Sequence, residues 1–280
     1  MSVGANELKR FITCVQKNST YNFSEYSENS LIRRIEKILI DNTCTFDILL
    51  ERIRNDSDYL HSIVKQITVN TTELFRDPKF WQDFRHDIIP ELQKKESITI
   101  WHAGCSTGQE VYSMLILLHE LKLLERATVF ASDINEDVIE IAQKGEYPYR
   151  FYDDYKEAFK QVIKFNPYGK PFKHTPFEKY FEVNTKKSIL QTASFLKNKV
   201  QFFTHDLIAL SPFTDQKFDI IFCRNVLIYF KADYQKKIYE CFYHSLNPES
   251  YLVLGMQESM GWFMNSLFQK KNSVYCKREI

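Results

Sequence analysis

Between residues 101 and 110 the chain reads Trp-His-Ala-Gly-Cys-Ser-Thr-Gly-Gln-Glu, where an apolar run ends and a helical pattern begins. Two of the seven glycines in the 280 residues, Gly104 and Gly108, lie four positions apart in this loop. Seven glycines in 280 residues is a far smaller fraction than the usual glycine share of about 7%. A chain so sparing with glycine is expected to place it where a side chain would obstruct a ligand that lies against the backbone.

A second apolar run, Val129–Ser132, ends in a carboxylate at Asp133. Strand, glycine loop, helix, strand and acid follow one another in nucleotide-binding βαβ units, in which the acid hydrogen-bonds ribose hydroxyls. The loop lacks the strict Gly-x-Gly-x-x-Gly pattern and the Lys-Ser/Thr pair of a phosphate-binding loop. A nucleoside ligand without phosphates, of which S-adenosylmethionine is the common one, suits these features. Glu110 either serves the methionine end of this ligand or is an acid favoured by the helix dipole, and the spacing leaves the two interpretations even.

The composition argues against several classes of function. The charges, 37 basic against 36 acidic, nearly cancel, which argues against a general nucleic-acid binder. No apolar run reaches the roughly 18 residues that span a bilayer, and the N-terminus lacks the apolar core of a signal peptide, so we expect no membrane insertion. The six cysteines form no Cys-x-x-Cys pair, and we interpret them as reduced thiols of a cytosolic protein rather than disulfides or a metal site.

The first third of the chain is predicted to be helical. Residues 7 to about 95 follow helical periodicity, with apolar stripes over Leu31–Leu39 and Phe46–Ile53. The signals for helix starts are Ser27 or Ser30, then Thr45, and then the Asp77-Pro78 pair.

From Ile98 onward, short apolar runs alternate with longer helical ones, which predicts a mostly parallel sheet with helices on both faces. The predicted strands are Ile98–His102, Thr128–Ser132, Val200–Thr204, Phe218–Cys223, Tyr251–Leu254 and a pair within Phe268–Tyr275. The predicted helices are Gln109–Glu120, Glu136–Gln143 and Ala232–Ser245. We therefore expect a helical domain over residues 1–90 and a sheet domain over 91–280, with ligands beyond the carboxyl ends of the strands.

Residues 146–198 fit this alternation poorly and are predicted to be an insertion in the sheet domain. The stretch is rich in Tyr, Phe and Lys and contains Asn166–Pro171, Asn-Pro-Tyr-Gly-Lys-Pro. A lid or partner-binding subdomain and a structural excursion without a role are equally compatible with this composition.

Two further segments, together with the 103–110 loop and the Ala131–Asn135 segment, closely resemble the CheR family of chemotaxis receptor methyltransferases. They are Asn70–Pro78, NTTELFRDP, and Phe218–Phe230, FDIIFCRNVLIYF. The Cys-Arg-Asn-Val-x-Ile-Tyr-Phe run is the most specific of the four motifs. Near the C-terminus, Leu254–Ser259 resembles the closing Gly-x-x-Glu-Ser segment of the family, so the resemblance covers nearly the whole chain.

The resemblance implies a Rossmann-like, S-adenosylmethionine-dependent methyltransferase sheet with an all-helical N-terminal domain and an inserted subdomain. It also implies a cytoplasmic enzyme of chemotaxis adaptation, which moves a methyl group to glutamate side chains of chemoreceptors. The products would be glutamate γ-methyl esters and S-adenosylhomocysteine.

The resemblance further assigns site residues by motif match. Arg76 and Tyr229 are expected beside the transferred methyl group. The cofactor-binding set comprises Asn70, Thr72 and Arg76 at the methionine and sulfonium end, Gly104 and Glu110 at the amino-acid moiety, Asp133 at the ribose, Asp206 and Leu207 at the adenine, and Asn225 and Val226 closing the pocket.

The residues themselves are compatible with this chemistry. A glutamate acceptor has an ordinary pKa near 4.3 and is already ionised at neutral pH, so the enzyme needs no strong general base. Arg76 could hold one carboxylate oxygen while the other attacks, although a salt bridge is its plainer role. Tyr229 could equally be a half-buried aromatic residue. His102 and His205 are interpreted as structural, and the cysteines at 105 and 223 as small wall residues.

The protein substrate is expected to be an acidic helical bundle. Arg33, Arg34 and Lys37 share a helix face away from the apolar stripe and could dock it, although an ordinary solvated face is the favoured interpretation. We expect a monomer that binds neither nucleic acid nor a metal ion.

The chain departs from the family in two places. The Pro-Gly-Gly that the family usually carries before the late strand is replaced by Pro248-Glu249-Ser250. The segment after Tyr147 runs longer than the usual small β-subdomain and looks unlike it, which leaves the protein substrate open. Two alternatives therefore stand beside receptor methylation: methylation of another signalling protein, and a regulatory module that only binds cofactor.

Overall fold

A seven-stranded sheet forms the centre of the α/β part of the protein. The structure is a computed structural model that describes residues 3–68, 70–164, 175–211, 214–272 and 274–279. The seven strands, in chain order, are β1 (Ile98–Ala103), β2 (Ala127–Asp133), β6 (Val200–Thr204), β7 (Phe218–Cys223), β8 (Leu246–Leu254), β9 (Phe268–Lys271) and β10 (Val274–Lys277). They lie in the order β6-β2-β1-β7-β8-β10-β9, with neighbours parallel from β6 to β8 and antiparallel beyond.

Helices cover both faces of this sheet, as the alternation predicts. The helices of the α/β part are α5 (Pro78–Asp87), α6 (Ile89–Gln93), α7 (Gln109–Glu120), α8 (Glu136–Lys144), α9 (Tyr152–Ile163), α10 (Ser194–Lys197) and the C-terminal half of α11 (Ala232–Ser245). Trp101 of β1 contacts Phe242 of α11, whereas Phe222 of β7 stacks on Trp81 of α5. His102, which follows Trp101 in β1, points to the opposite face of the sheet and stacks on Phe222. The contact of Trp101 with α11 and the contact of Phe222 with α5 therefore lie on opposite faces, so both faces have a helical cover.

The predicted elements of the sheet are confirmed to within a few residues. The structure has β6, β7, α7 and α11 at the predicted bounds. The largest difference is β8, which begins at Leu246 rather than Tyr251. Leu246 pairs with Phe218 before a register shift, so the strand includes a polar turn-like segment that the apolar pattern does not mark.

The excursion between β2 and β6 contains a second sheet, which the sequence pattern misses. Its strands are β3 (Glu146–Pro148), β4 (Phe181–Asn184) and β5 (Ile189–Thr192), antiparallel in the order β3-β5-β4. No strand was predicted in this segment, because strands of three or four residues with alternate polar side chains leave no apolar run to detect. The Asn166–Pro171 stretch lies outside the described residues.

The first 69 residues form four helices around their own core. They are α1 (Ala5–Asn18), α2 (Glu28–Asp41), α3 (Phe46–Asn55) and α4 (Ser57–Ile67), and both predicted apolar stripes are buried there. Ser27 precedes α2, whereas Ser30 lies inside the helix and is not its cap. Thr45 caps α3 by accepting a hydrogen bond from the Ile48 backbone at 3.4 Å.

The contacts divide the chain into two compact units. The first comprises Met1–Val69 with Val226–Ile238, and the second comprises Asn70–Asn225 with Tyr239–Ile280. The division falls at residue 69 rather than at the expected 90, because α5 and α6 pack within the core of the sheet unit. Among the helices described, none is long and apolar enough to cross a membrane.

Asp219 at the start of β7 ties the amino-terminal edge of the sheet together. Its side chain is 5% exposed and accepts hydrogen bonds from the Thr99 backbone at 2.8 Å and from Lys95 Nζ at 2.9 Å. Asn247 Nδ2 donates to the same carboxylate at 3.2 Å. Burial alone would raise the pKa of Asp219, but these donors and the Lys95 charge outweigh it and lower the pKa below its ordinary value.

Replacing this carboxylate is expected to make stability less dependent on pH. A lowered folded-state pKa contributes stability above the unfolded-state pKa of about 3.9 that is lost as the pH falls through the folded-state value. Asp219→Asn should therefore cost about 2 kcal/mol in free energy of unfolding at pH 7 and progressively less below pH ~4. Urea denaturation at both pH values measures this difference. The exposed Asp215→Asn is the control and should leave the free energy of unfolding unchanged at both pH values. An equal loss of stability for Asp219→Asn at both pH values would contradict the linkage.

Candidate cofactor and active site

The carboxyl ends of β1, β2, β7 and β8 meet at one edge of the sheet. Ala103 pairs with Ser132 at the ends of β1 and β2, and Cys223 pairs with Leu254 at the ends of β7 and β8. Loops that leave such an edge are where ligands bind in parallel α/β sheets. The predicted motifs at 103–110, 133 and 224–225 all follow these strand ends.

Asp133 organises the glycine loop. Its Oδ2 accepts a hydrogen bond from the Ser106 backbone at 2.9 Å, and its Oδ1 accepts one from the Asn135 backbone at 3.0 Å. The Gly104 and Cys105 amides both donate to the Ser132 carbonyl at 2.8 and 2.9 Å. The loop is thus held to the end of β2 through its backbone.

The Asp133 carboxylate retains acceptor capacity after these contacts. Each oxygen accepts one backbone N–H, and a carboxylate oxygen has room for a second donor. The side chain is 8% exposed, and this burial raises the pKa of Asp133 although the Asn135 and Ser106 amides partly offset it. A buried, partly paired acceptor at the end of the second strand suits a pair of hydroxyl donors.

The two loop glycines have different structural roles. Gly104 has a φ of +77°, a conformation that side chains disfavour. Gly108 precedes α7 at φ +90°, and a Cβ there would lie 2.9 Å from the Ala142 Cβ of α8. Gly108 therefore permits close packing of α7 and α8. This packing explains the glycine at 108, whereas the sequence predicted close approach of a ligand at both glycines.

Glu110 belongs to a buried chain of charges. Its Oε1 lies 3.0 Å from His102 Nδ1, and its Oε2 accepts a hydrogen bond from Arg224 Nη1 at 3.1 Å. Arg224 Nη2 donates to Asp77 Oδ2 at 2.7 Å, and the guanidinium lies over the Phe80 ring at 4.3 Å. Arg224 thereby joins the loop before α5 to the first turn of α7.

This chain keeps Glu110 ionised. Burial would raise the pKa of Glu110, but the hydrogen bond from His102 and the charge of Arg224 outweigh it and lower the pKa below the ordinary range. The helix dipole is one contribution among several here, since α7 begins at residue 109. A fixed negative charge at this edge is complementary to an ammonium group.

The loop 70–77 places the first family motif in the sheet unit. Phe75 has a φ of +51° and Asp77 one of +57°, and the Phe75 amide donates to Ser113 Oγ of α7 at 2.7 Å. Arg76 Nη1 donates to the Thr71 carbonyl at 3.3 Å. Asn70 and Thr72 are half-buried in the same loop. Backbone strain in non-glycine residues is concentrated at functional sites, and Ser106 and Asn225 share it at +50° and +60°.

Asn225 is held in its strained conformation by Glu258. The Asn225 amide donates to Glu258 Oε2 at 2.6 Å, and the Gly255 amide donates to the same oxygen at 2.7 Å. A Cβ on Gly255 would lie 2.9 Å from Asn225 Nδ2, so the glycine makes room for the asparagine. Asn225 Oδ1 is buried and has no hydrogen-bond partner within the described residues, which marks it as an acceptor available to a ligand.

Asp206 follows β6 and begins a short 3-10 helix at Leu207–Ala209. Its Oδ1 accepts a hydrogen bond from the Ile208 backbone at 2.9 Å, and burial raises the pKa of its carboxyl. Leu207 is half-buried beside it. Asp206 and Leu207 lie beside Asp133 along the sheet edge, because they follow β6, and β6 pairs with β2, which ends at Asp133.

The remaining predicted residues lie in the helical unit. Val226 and Tyr229 belong to its Val226–Ile238 segment, where the Tyr229 carbonyl accepts a hydrogen bond from the Ser27 backbone at 2.8 Å. Arg33 and Lys37 are exposed on α2, Lys37 lies 3.7 Å from Asp41 across one helical turn, and Arg34 is half-buried. Their roles stay predictions.

The excursion contacts the glycine loop directly. Tyr147 of β3 donates from its hydroxyl to the Thr107 carbonyl at 2.8 Å. Gln109 Nε2 at the start of α7 donates to the Tyr155 hydroxyl of α9 at 3.0 Å. The second sheet and α9 therefore support the loop at 103–110 from the side of the excursion.

The thiols of the site are poor nucleophiles. Cys105 and Cys223 are buried, and this burial, with the nearby carboxylates, raises both pKa values well above the ordinary thiol value. Protonated thiols neither attack carbon nor bind metal efficiently. This agrees with their interpretation as small wall residues.

Sequence reasoning missed four residues that build this site. Arg224 and Glu258 lie inside quoted motifs, and Asp77 was interpreted only as a helix start. His102 was interpreted as structural, yet it lies against Glu110. The ion pairs of Arg224 join residues more than a hundred positions apart and give no local pattern, so only the adjacency of Arg224 to a known motif could have drawn attention to it.

The site chemistry fits S-adenosylmethionine. Two carboxylates and an unpaired amide oxygen suit the ammonium, sulfonium and ribose hydroxyl groups of this cofactor. Glu110, Asp133 and Asn225 would hold it at these groups.

Comparisons with known proteins agree with this site. The family model described as CheR methyltransferase, SAM binding domain, matches residues 70–164 and 170–276. The Cher3 protein of Pseudomonas putida is 34% identical over 255 residues, which cover 91% of this chain and 89% of that protein. The chemotaxis protein methyltransferase of Listeria monocytogenes is 25% identical over 89% of this chain and 88% of its own, and that of Salmonella typhimurium is 26% identical over 88% and 80%. The chain therefore belongs to the CheR methyltransferase family and is an S-adenosylmethionine-dependent methyltransferase of the chemotaxis type.

Proposed function

We propose that the protein transfers the methyl group of S-adenosylmethionine to glutamate side chains of a chemoreceptor. The observation that carries this proposal is how the acidic groups of the site are engaged. Glu110 is held between His102 and Arg224, Asp133 accepts two backbone amides, and the thiols at 105 and 223 are buried with raised pKa values. These groups are held as fixed partners for a cofactor, which suits an acceptor that needs no base.

A carboxylate acceptor suits such a site. Its ordinary pKa near 4.3 makes it a nucleophile at neutral pH without a base, whereas an alcohol or a lysine would have to lose a proton first. The cofactor would supply a methyl group on a sulfonium. A carboxylate oxygen would attack the methyl carbon in line, and the ester C–O bond would form as the C–S bond breaks and S-adenosylhomocysteine leaves. The chain's own residues then need only to align the reacting atoms within roughly 3–3.5 Å.

Arg76 is the residue we assign to holding the acceptor carboxylate. Its guanidinium contacts the Thr71 carbonyl through Nη1, which leaves its other N–H groups for a ligand. A planar fork can bind one carboxylate oxygen while the other remains free to attack. The contribution of Tyr229 beside the methyl group, and docking of an acidic receptor helix by Arg33, Arg34 and Lys37, belong to the same proposal.

The test is incubation with methyl-labelled cofactor and receptor cytoplasmic fragments. Base-labile methyl esters should form on wild-type fragments and disappear when the acceptor glutamates are replaced by alanine. Arg76→Ala should lower kcat/KM for the receptor by about a hundred-fold or more, and Arg76→Lys should recover only part of it, because an ammonium lacks the fork. Exposed Arg278→Ala, which lies outside residues 146–198 and the proposed site, serves as the matched control.

Absence of base-labile label on every receptor fragment, with turnover on another signalling protein, would overturn the receptor assignment. Exchange of residues 146–198 with those of a receptor-specific family member then shows whether this segment selects the substrate. Cofactor binding without turnover on any protein would favour a regulatory module.

A further inference from the structure

His102 is a buried titratable group that the proposed chemistry does not use. It is the fifth residue of β1 and has no exposed surface. Its ring stacks on Phe222 with centroids 4.5 Å apart and planes within 8°. Nδ1 lies 3.0 Å from Glu110 Oε1, and Nε2 has no hydrogen-bond partner within the described residues.

These contacts determine the tautomer. Glu110 is ionised and can only accept hydrogen bonds, so Nδ1 must carry the proton and donate it. With Nδ1–H formed, a neutral imidazole has its lone pair on Nε2, in a place that offers no donor. A proton added at Nε2 would be a second positive charge beside Arg224.

We propose that His102 is a positioning residue for the cofactor, which orients the Glu110 carboxylate through Nδ1–H. The two oxygens of Glu110 are each held by one donor, His102 on Oε1 and Arg224 on Oε2. The carboxylate therefore cannot rotate without breaking a buried hydrogen bond. The remaining lone pair of each oxygen is presented in a fixed direction.

The charges around His102 explain why the direction of the Glu110 carboxylate matters for a cationic ligand. Strand neighbours of His102 are Ala131 in β2 and Phe222 in β7, which carry no charge. From α7 it faces Glu110, behind which lie Arg224 and then Asp77. Thus, with neutral His102, two carboxylates face one guanidinium, a net charge of −1 that attracts a ligand ammonium.

The neighbouring thiols and carboxylates of this edge add no positive charge. The thiols at 105 and 223 stay neutral, because burial raises their pKa values. Asp133 and Glu258 are the carboxyl groups that lie near these thiols besides Glu110. The inference rests on the proposed placement of Glu110 at the amino-acid end of the cofactor, but it does not depend on which protein is methylated.

The experiment is calorimetric titration of the full-length protein with S-adenosylhomocysteine at pH 8. His102→Asn keeps a donor near the position of Nδ1. His102→Phe keeps the ring stack on Phe222 and removes the donor. Glu110→Gln tests the placement of the carboxylate, and thermal melting of each variant reports folding separately.

At pH 8, His102→Asn should bind within about three-fold of wild type and His102→Phe about ten-fold more weakly, the loss of one charge-assisted hydrogen bond. His102→Asn should therefore recover most of the affinity that His102→Phe loses, because the amide supplies a donor to Glu110. In turnover assays the His102→Phe defect should appear in KM for the methyl donor rather than in kcat.

Equal affinities of His102→Asn and His102→Phe would overturn the proposal. Where His102→Phe fails to fold, a loss of about ten-fold or more in a folded His102→Asn overturns it instead. Weak binding by Glu110→Gln together with unchanged binding by His102→Phe would reject the role of His102 alone. Unchanged binding by both would reject the placement of Glu110. The binding titrations contain no methyl acceptor, so each of these outcomes can be interpreted even if the receptor assignment is wrong.

Discussion

Arg224→Met is expected to lower the free energy of unfolding by about 3 kcal/mol and to weaken cofactor binding in parallel. The Arg224 side chain is 1% exposed and is paired with both Asp77 and Glu110. Removal of a shared partner from buried ions costs about 3–5 kcal/mol, because the remaining charges lose their compensation. The lower end applies here, since the Asp77 side chain is 38% exposed and water can solvate it.

Urea denaturation of the full-length protein measures this loss. Arg224→Lys should recover less than half, because a single ammonium cannot bridge two carboxylates 2.7 and 3.1 Å from separate guanidinium nitrogens. Exposed Arg150→Met should change the free energy by less than about 0.5 kcal/mol.

A double variant isolates the cause. Arg224→Met with Glu110→Gln should be more stable than Arg224→Met alone, since the second change removes the uncompensated charge. If the losses of the single variants instead add, the stabilisation comes from packing of the guanidinium on Phe80 rather than from the ion pairs.

The sheet could be predicted from the sequence because its signal is local. Apolar runs such as Val200–Thr204 and helical stripes such as Gln109–Glu120 each determine their own element, and both have the predicted bounds. The small antiparallel sheet could not be predicted, since Glu146–Pro148 and its neighbours are short and half polar. Their strand conformation depends on pairing with residues some forty positions away.

The candidate site divides in the same way. Asp133 and Asn225 are recognisable because each follows a strand within a motif. The ion pairs of Arg224 cannot be read from the sequence, because they join residues 147 and 114 positions apart that only the folded sheet brings together. Asp77 shows how a local signal can mislead: it precedes a proline at a helix start, yet its side chain does not cap the helix and instead pairs with Arg224.

Asp133→Asn is expected to separate binding from folding. The change removes a buried charge whose pKa is raised by burial, so the ionised form costs stability at neutral pH. It also replaces one acceptor by a donor facing either the Ser106 or the Asn135 amide, which costs about 1–3 kcal/mol. The two effects oppose each other, so the free energy of unfolding should change by no more than about 2 kcal/mol.

Cofactor binding, in contrast, should be lost. If Asp133 accepts hydrogen bonds from both ribose hydroxyls, the amide that replaces its carboxylate can accept at most one of these bonds. That remaining bond would also lack a charged acceptor. At about 1.5–3 kcal/mol for each charged hydrogen bond, affinity for S-adenosylhomocysteine should fall by about a hundred-fold or more. Calorimetric titration measures this, and the ligand-induced rise in melting temperature seen with wild type should vanish.

The pH dependence of the wild type gives the same residue a second test. A raised folded-state pKa means that the carboxyl gains its proton at a higher pH than an ordinary aspartate, and protonation removes acceptor capacity. Affinity should therefore fall with decreasing pH in wild type, and the part due to residue 133 should be absent from Asp133→Asn. The exposed Glu136→Gln, three positions along, removes the same charge without touching the loop and should leave affinity unchanged. An equal loss in that control would mean that long-range charge, rather than contact with Asp133, carries the binding.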